Sequence, residues 1–417
     1  ASNASLDDWL AYIEAMHPVE IDLGLDRVLI VLRKLFPSRP TARIVTVAGT
    51  NGKGSTIACL EALLRDKGRK VGTYTSPHLH RYNERVRVNG ADASDDDLVE
   101  AFSRVEAARG KISLTYFEFG TLAAFLLLDK AGLDDWLLEI GLGGRLDAVN
   151  VLDPDLAIIT SVDIDHIGFL GDNREVIGFE KAGIFRPGIN AICADPQPPA
   201  SVLQQARAQG VHLLRDGKGY SLERNGEANT LAIGDGKVFR LPPSSLPSGS
   251  MASALVAMSV LEPDYDIAGG MDVLARVTVP GRMERLGDQP PVFADVGHNP
   301  HAARWLADEI KRQRIESGKV YAVYAALADK DVEGVANAMS AVVDGWYLAG
   351  LSVPRGLTGE ALQQRINGEL KPNTPVSVLD TVPRAVSAVL EQAGPEDLVI
   401  IFGSFFTVGE ARTFLQP

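Results

Sequence analysis

Short, nearly continuous apolar runs alternate with longer stretches of helical period along the first part of the chain. Arg43-Ile44-Val45-Thr46-Val47-Ala48 reads as a strand, and residues 56–64 after it read as a helix. Residues 70–75 read as a second strand. Ser94 precedes Asp95, Asp96 and Asp97, the N-cap and acidic first turn of another helix. Residues 119–131 read as an apolar, buried helix, and residues 136–140 and 156–160 have the composition of central parallel strands. This alternation predicts a doubly wound parallel sheet with ligands at the carboxyl ends of its strands.

The pattern changes over residues 213–243. Gly, Asn and Asp break it into short segments such as Thr230-Leu231-Ala232-Ile233, which predicts a small antiparallel excursion. A Pro- and Ser-rich stretch, residues 241–250, leads into a helix over 252–261, and Val279-Pro280-Gly281-Arg282 marks a turn. From Pro290 the alternation restarts, with strands at 292–295, 320–324 and 398–402. The prediction is an α/β protein. A P-loop-type doubly wound parallel-sheet domain over 1–285 is followed by a smaller Rossmann-like α/β domain over 286–417, a normal domain size.

Composition narrows the partners. A formal net charge of −13 argues against a nucleic-acid or anionic-membrane surface. It leaves room for a nucleotide, which local N–H groups, cations and metal can hold. The apolar run at 122–128 falls far short of the roughly 20 residues that span a bilayer. Cys59 and Cys193 offer neither a disulfide framework nor a zinc spacing, and the polar, acidic residues 1–8 lack a signal-peptide pattern. A cytoplasmic protein is expected, and a monomer.

The candidate chemistry starts where the first strand ends. Gly49-Thr50-Asn51-Gly52-Lys53-Gly54-Ser55 lies between a strand and a helix. Glycines let backbone N–H groups turn inward, and the helix start adds partial positive charge. Lys53 adds a full charge, and Ser55 or Thr56 a hydroxyl for magnesium. The spacing departs from the usual P-loop because Gly54 follows the lysine. An ordinary Gly-rich turn is the plainer alternative, and it leaves the lysine unexplained.

Other polar residues fall just after strands. Ser76-Pro77-His78-Leu79 follows the second strand, and Glu139 runs into Gly141-Leu142-Gly143-Gly144-Arg145-Leu146-Asp147-Ala148. A dinucleotide fingerprint would need glycine at Leu146. Asp163, Asp165 and His166 follow the strand at 156–160, and Lys181 lies beyond. Singly, His166 reads as a structural hydrogen-bonder, Glu139 as a solvated carboxylate and Lys181 as a surface lysine. Together at one sheet edge they suggest a Mg²⁺ site. Near the second domain, Arg282, Asp295-Val296-Gly297-His298-Asn299-Pro300 and Gly403-Ser404-Phe405 are weaker candidates of the same kind.

Taken in order, residues 49–55, 76–79, 138–148, Asp165-His166, Glu180-Lys181-Ala182-Gly183-Ile184, Pro280-Gly281-Arg282 and 295–300 resemble the Mur-ligase superfamily. Within it, they are similar to the bacterial bifunctional dihydrofolate synthase/folylpolyglutamate synthase family. The resemblance implies an ATP-dependent amide ligase. A substrate carboxylate takes the γ-phosphoryl group, and the amine of L-glutamate attacks the acyl phosphate. The acceptors implied are dihydropteroate and reduced folates. By the same resemblance Thr50, Asn51, Gly52, Lys53, Gly54, Ser55, Ser250, Arg282 and Asp295 contact ATP. Ser76, Glu139, His166 and Lys181, the last carbamylated, hold two Mg²⁺ ions. Asp22, Leu23, Gly24, Thr115, Tyr116, Phe117, Glu118, Leu146, Asp147 and Ala148 line a pterin site. Arg85, His298 and Ser404 meet glutamate, and Lys53, Lys181 and His298 carry the chemistry. One departure stands out: Ser250 occupies a place where the superfamily usually has asparagine, so no amide fork is available there. The competing readings are another Mur-type ligase, a P-loop kinase or ATPase, and a module that holds ATP without catalysis. The first usually needs an additional N-terminal domain before the loop at Gly49, and the second has no need of the domain after 285.

Overall fold

The apolar runs become the strands of two sheets. The computed structural model describes residues 4–19, 21–225, 228–234 and 236–416. The chain divides into two compact units, Ala1–Val277 and Thr278–Pro417.

In chain order the strands of the first unit are β1 (Arg43–Ala48), β2 (Val71–Tyr74), β3 (Val86–Val88), β4 (Ala91–Asp92), β5 (Asp135–Glu139) and β6 (Leu156–Ile159). Then follow β7 (Asn190–Cys193), β8 (His212–Asp216), β9 (Gly219–Asn225), β10 (Ala228–Ile233) and β11 (Lys237–Arg240). They form one eleven-stranded sheet in the order β11-β10-β9-β8-β7-β6-β1-β5-β2-β3-β4. The run from β8 to β2 is parallel. Its central strands β1, β5 and β6 are buried almost throughout, which is why they read as unbroken apolar runs. β1 lies between β5 and β6 although its successor is β2. The strand order therefore reverses beside β1, the place where open α/β sheets open a crevice at their carboxyl ends.

The segment expected as a separate antiparallel excursion is part of this same sheet. β8 pairs in parallel with β7, and only β9, β10 and β11 form an antiparallel ribbon. Helix Lys53–Asp66 packs against helix Ser248–Leu261, and helices Asp95–Arg109 and Tyr116–Lys130 pack on each other. The predicted cap is present: Ser94 accepts the N–H of Asp97 at 3.1 Å. The helix expected from 252 begins at Ser248, directly after Pro247. Pro247 stands just outside the helix, so the Ser-rich residues form its first turn.

The second unit holds β12 (Glu284–Asp288), β13 (Pro291–Asp295), β14 (Val320–Tyr324), β15 (Gly345–Ala349), β16 (Val376–Leu379) and β17 (Leu398–Phe402). Their order is β12-β13-β17-β14-β15-β16, parallel except for β12. Because β12 pairs with β13, this sheet takes up residues that the apolar pattern gave to the first domain, and the division falls at Val277 rather than 285. Each unit has its own core. Phe125 stacks on Trp136 in the first and Tyr324 on Phe402, 4.7 Å between centroids, in the second. Among the described residues no helix is long and apolar enough to cross a membrane.

Candidate active site

The loop after β1 is built on two glycines. A Cβ at Gly49 would stand 1.8 Å from Thr160 Oγ1, so only glycine fits there. Gly52 has φ +86° and caps helix Lys53–Asp66. The intervening residues are laced to the segment after β6. Thr50 Oγ1 donates to the Asp163 carbonyl at 3.0 Å and accepts the Asp163 N–H at 2.9 Å. Asn51 N–H donates to Ser161 Oγ at 3.0 Å, and Thr160 Oγ1 donates to the Asn51 carbonyl at 2.6 Å. Lys53 Nζ folds back onto the Gly49 carbonyl at 3.0 Å and lies 4.0 Å from Glu139 Oε1. Gly54 follows, close enough that a Cβ would be 3.7 Å from Glu139 Oε2. The buried hydroxyls of Ser55 and Thr56, in the first turn of the helix, have no hydrogen-bond partner in the structure. Unpaired hydroxyls beside helix-terminal N–H groups suit an anion, or a hydrated cation that accompanies one. Ser250, in the first turn of helix Ser248–Leu261, is buried and donates to the Gly52 carbonyl at 3.4 Å. The residue that departs from the superfamily pattern thus touches the loop backbone directly.

The neighbouring strand ends supply the acidic side. Glu139, the last residue of β5, is buried and accepts the Ser76 N–H at 3.2 Å. Lys53, Glu139 and Ser76 are therefore brought together across the ends of β1, β5 and β2. Lys181 is buried on helix Arg174–Ala182, and burial draws its ammonium down to about 7. The charge of Lys53 pushes the same way, while Asp165 and Asp147 pull back up. His166 is exposed, with a left-handed backbone at φ +53° just before the short helix Ile167–Leu170. Among the described residues no three His, Cys, Asp or Glu side chains are gathered to hold a metal. The carboxylate of Glu139 and hydroxyl of Ser76 nevertheless fit magnesium, which takes few ligands from protein and the rest from water and phosphate.

The residues expected to face a pterin also converge, through one that the sequence did not single out. Arg27 donates to Asp22 Oδ2 at 2.6 Å, to the Asp22 carbonyl at 2.8 Å and to Glu118 Oε1 at 2.8 Å. It joins the loop of Asp22, Leu23 and Gly24 to the helix that Thr115 caps. Arg27 and Glu118 are 91 positions apart, so no local pattern could have signalled the pair. On the same helix Phe117 packs so closely on Gly141 that a Cβ there would meet its ring at 2.6 Å. Gly141 opens the loop that carries Leu146, Asp147 and Ala148. Asp147 is buried and accepts the N–H groups of Leu142 at 2.8 Å and Val149 at 2.9 Å. Burial outweighs those bonds and pushes its carboxyl up to about 7. Tyr116 turns its ring toward Arg85, 5.6 Å from Cζ to centroid.

In the second unit, Asp295 ends β13 opposite Phe402 at the end of β17. Its carboxylate accepts the N–H groups of Met283 at 3.0 Å and Gly297 at 2.7 Å, and burial raises its pKa against the pull of Arg282. The Arg282 guanidinium lies 5.3 Å from the ring centroid of Phe405. Ser404, beside it, is buried and caps the last helix by accepting the Thr407 N–H at 3.0 Å. His298 Nδ1 lies 2.9 Å from the Val296 carbonyl, the geometry of an Nδ1–H donor. Arg282, Asp295 and Ser404 thus gather at adjacent strand ends of one sheet, with His298 at the turn that follows.

Comparison with known proteins bears on both units. The family model described as "Mur ligase middle domain" matches residues 47–218, and that described as "Mur ligase, glutamate ligase domain" matches residues 281–405. A dihydrofolate synthase/folylpolyglutamate synthase of Escherichia coli (strain K12) is 42% identical over 412 residues, covering 99% of this chain and 96% of the relative. The solved structure of E. coli FolC in complex with DHPP and ADP has a TM-score of 0.93 at 40% identity, covering 98% of this chain and 97% of that one. The bifunctional folylpolyglutamate synthase/dihydrofolate synthase of Yersinia pestis, complexed with AMPPNP and Mn ion, has a TM-score of 0.92 at 39% identity. It covers 100% of this chain and 99% of that one.

Proposed function

This chain belongs to the Mur ligase family, within the dihydrofolate synthase/folylpolyglutamate synthase group, and from that premise we propose that it is an ATP-dependent ligase joining L-glutamate to dihydropteroate and to reduced folates. The observation that carries the proposal is the meeting of Lys53, Glu139 and Ser76 at the end of the Gly-rich loop. A free carboxylate resists attack by an amine. Transfer of the γ-phosphoryl group to the substrate carboxylate, with departure of ADP, gives an acyl phosphate. The glutamate amine then attacks the acyl carbon, and phosphate leaves. The demand on the protein is to hold phosphoryl charge in place while bonds change. Lys53 and the N–H groups at the start of its helix suit that task, and the carbonyl contacts that Lys53 now makes are ones it can exchange for phosphate oxygens.

In this reading Thr50 to Ser55, Ser250, Arg282 and Asp295 contact ATP, and Arg85, His298 and Ser404 contact glutamate. The Asp22 to Gly24 loop, Thr115 to Glu118 and Leu146 to Ala148 receive the pterin. Ser76 and Glu139 would hold one Mg²⁺, and His166 with carbamylated Lys181 a second. Bound there, the ions supply positive charge to the phosphates. Carbamylation needs a neutral amine, and the burial that brings Lys181 to about 7 supports it. The enzyme is proposed to act as a cytoplasmic monomer. Replacing Lys53 with alanine tests the assignment: ligation should fall by roughly 10²-fold or more while the circular dichroism spectrum stays unchanged. Ligation retained in a folded variant would remove the loop from the mechanism.

A further inference from the structure

Arg85 is an unusual cation. It is only 9% exposed, and its guanidinium lies 5.2 Å from the Tyr82 ring centroid and 5.6 Å from that of Tyr116. Its Nε donates to His78 Nδ1 at 2.9 Å. No described residue hydrogen-bonds to its two Nη groups. An arginine carries five N–H donors in a rigid fork, so four remain unpaired by protein. The guanidinium body is packed between rings while its Nη groups stay open to solvent, so an anion can reach them. The planar pair of Nη groups matches a carboxylate.

We propose that His78 is a positioning residue: it grips Nε of Arg85 and so turns the Nη fork toward a carboxylate of the incoming amino acid. The proposal rests on the ligase reading above and names a part for a residue that reading leaves idle. Arginine always carries its Nε–H, so His78 Nδ1 must accept, and the ring's proton resides on Nε2. Two features fix the ring. Its plane tilts against Tyr82, 5.9 Å between centroids. Glu84 locks the backbone after it by accepting the N–H groups of Leu79 at 2.7 Å, His80 at 2.9 Å and Arg81 at 2.8 Å. The location is apt. Ser76, two residues before His78, donates its N–H to Glu139, while Tyr116 belongs to the helix that carries Glu118. Through His78 and Tyr116 the fork adjoins both the segment that begins at Ser76 and the helix proposed to face the pterin, a fitting place to hold an attacking amino acid.

Two polar replacements separate positioning from mere packing. In His78→Asn the side-chain oxygen takes the place of Nδ1 and keeps the bond. In His78→Gln the amide reaches the place of Nε2 and loses it. Steady-state ADP release with dihydropteroate should show KM for glutamate raised roughly tenfold or more in His78→Gln and close to wild type in His78→Asn. KM for ATP should be unchanged in both. An unchanged glutamate KM in His78→Gln would overturn the proposal. So would equal losses in the two variants, or a parallel rise in the KM for ATP, because a structural role predicts those. Thermal melting of both variants checks that each is folded. Wild-type protein that releases no ADP in response to glutamate would sink the ligase reading itself, a distinct outcome.

Discussion

Asp147 and Lys181 are buried charges of opposite sign, each drawn by burial toward about 7. Neither shift is visible in the sequence, because desolvation depends on what the fold places around a group. Asp147 was legible in a motif that follows an apolar strand; Lys181, on helix Arg174–Ala182, reads singly as a surface lysine and was legible only through the family resemblance. The shift in Asp147 has a consequence for stability. Its folded pKa is raised above its unfolded value, so the folded state binds more protons between about 4 and about 7. The stabilisation from this group is fully present below the unfolded value and is lost as pH rises through about 7. The urea midpoint of wild type should therefore fall relative to that of Asp147→Asn as pH rises from 5 to 8. Midpoints that run parallel would show that Asp147 does not titrate in that range. The Arg27–Glu118 pair lay beyond the sequence because its members are 91 positions apart. His78 and Arg85 fall in segments the sequence singles out, but the bond between them depends on the path of the intervening turn, which no spacing encodes.

At the level of elements, strands buried on both faces announce themselves as apolar runs; β14 and β17 fall on the predicted residues, and β1 on the run that opens the pattern. Helix Leu6–Glu14 is less visible. It presents Leu6, Trp9 and Ile13 to the core, but its acidic first turn makes the segment read as a polar terminus. β5 begins one residue before the apolar run, at Asp135, and that residue is fully buried. Arg43 donates to it at 2.6 Å and Arg69 pairs with its other oxygen. Arg43 also donates to the Leu261 carbonyl at 2.8 Å and to Glu262 at 2.9 Å, tying the end of helix Ser248–Leu261 to β1. That is the helix from which Ser250 reaches the phosphate loop, so a charge cluster at one end of the sheet helps fix a residue at the other. Asp135→Ala leaves two arginines without their buried partner and should cost about 3 kcal/mol in urea denaturation. A loss below about 1 kcal/mol would mean that the arginines are satisfied by solvent and Glu262.

Across the whole molecule, the restart of the alternation near Pro290 announced a second α/β unit, and each unit carries its own sheet and core. The exact division was less legible, because β12 is short, half-exposed and paired antiparallel, and so lacks the apolar signature of its neighbours. An acidic protein of net charge −13 that handles anionic substrates must concentrate its cations: in the first unit Lys53 and Arg85 stand beside candidate-site loops, and in the second Arg282 stands at a strand end. Ligase activity is read most directly as ADP release measured with L-glutamate and either dihydropteroate or tetrahydrofolate, with the products weighed by mass spectrometry. The expected result is ADP formation that requires both glutamate and a folate acceptor, and a product one glutamyl residue heavier than the acceptor. ADP formation indifferent to glutamate, or a phosphorylated acceptor accumulating as the final product, would contradict it.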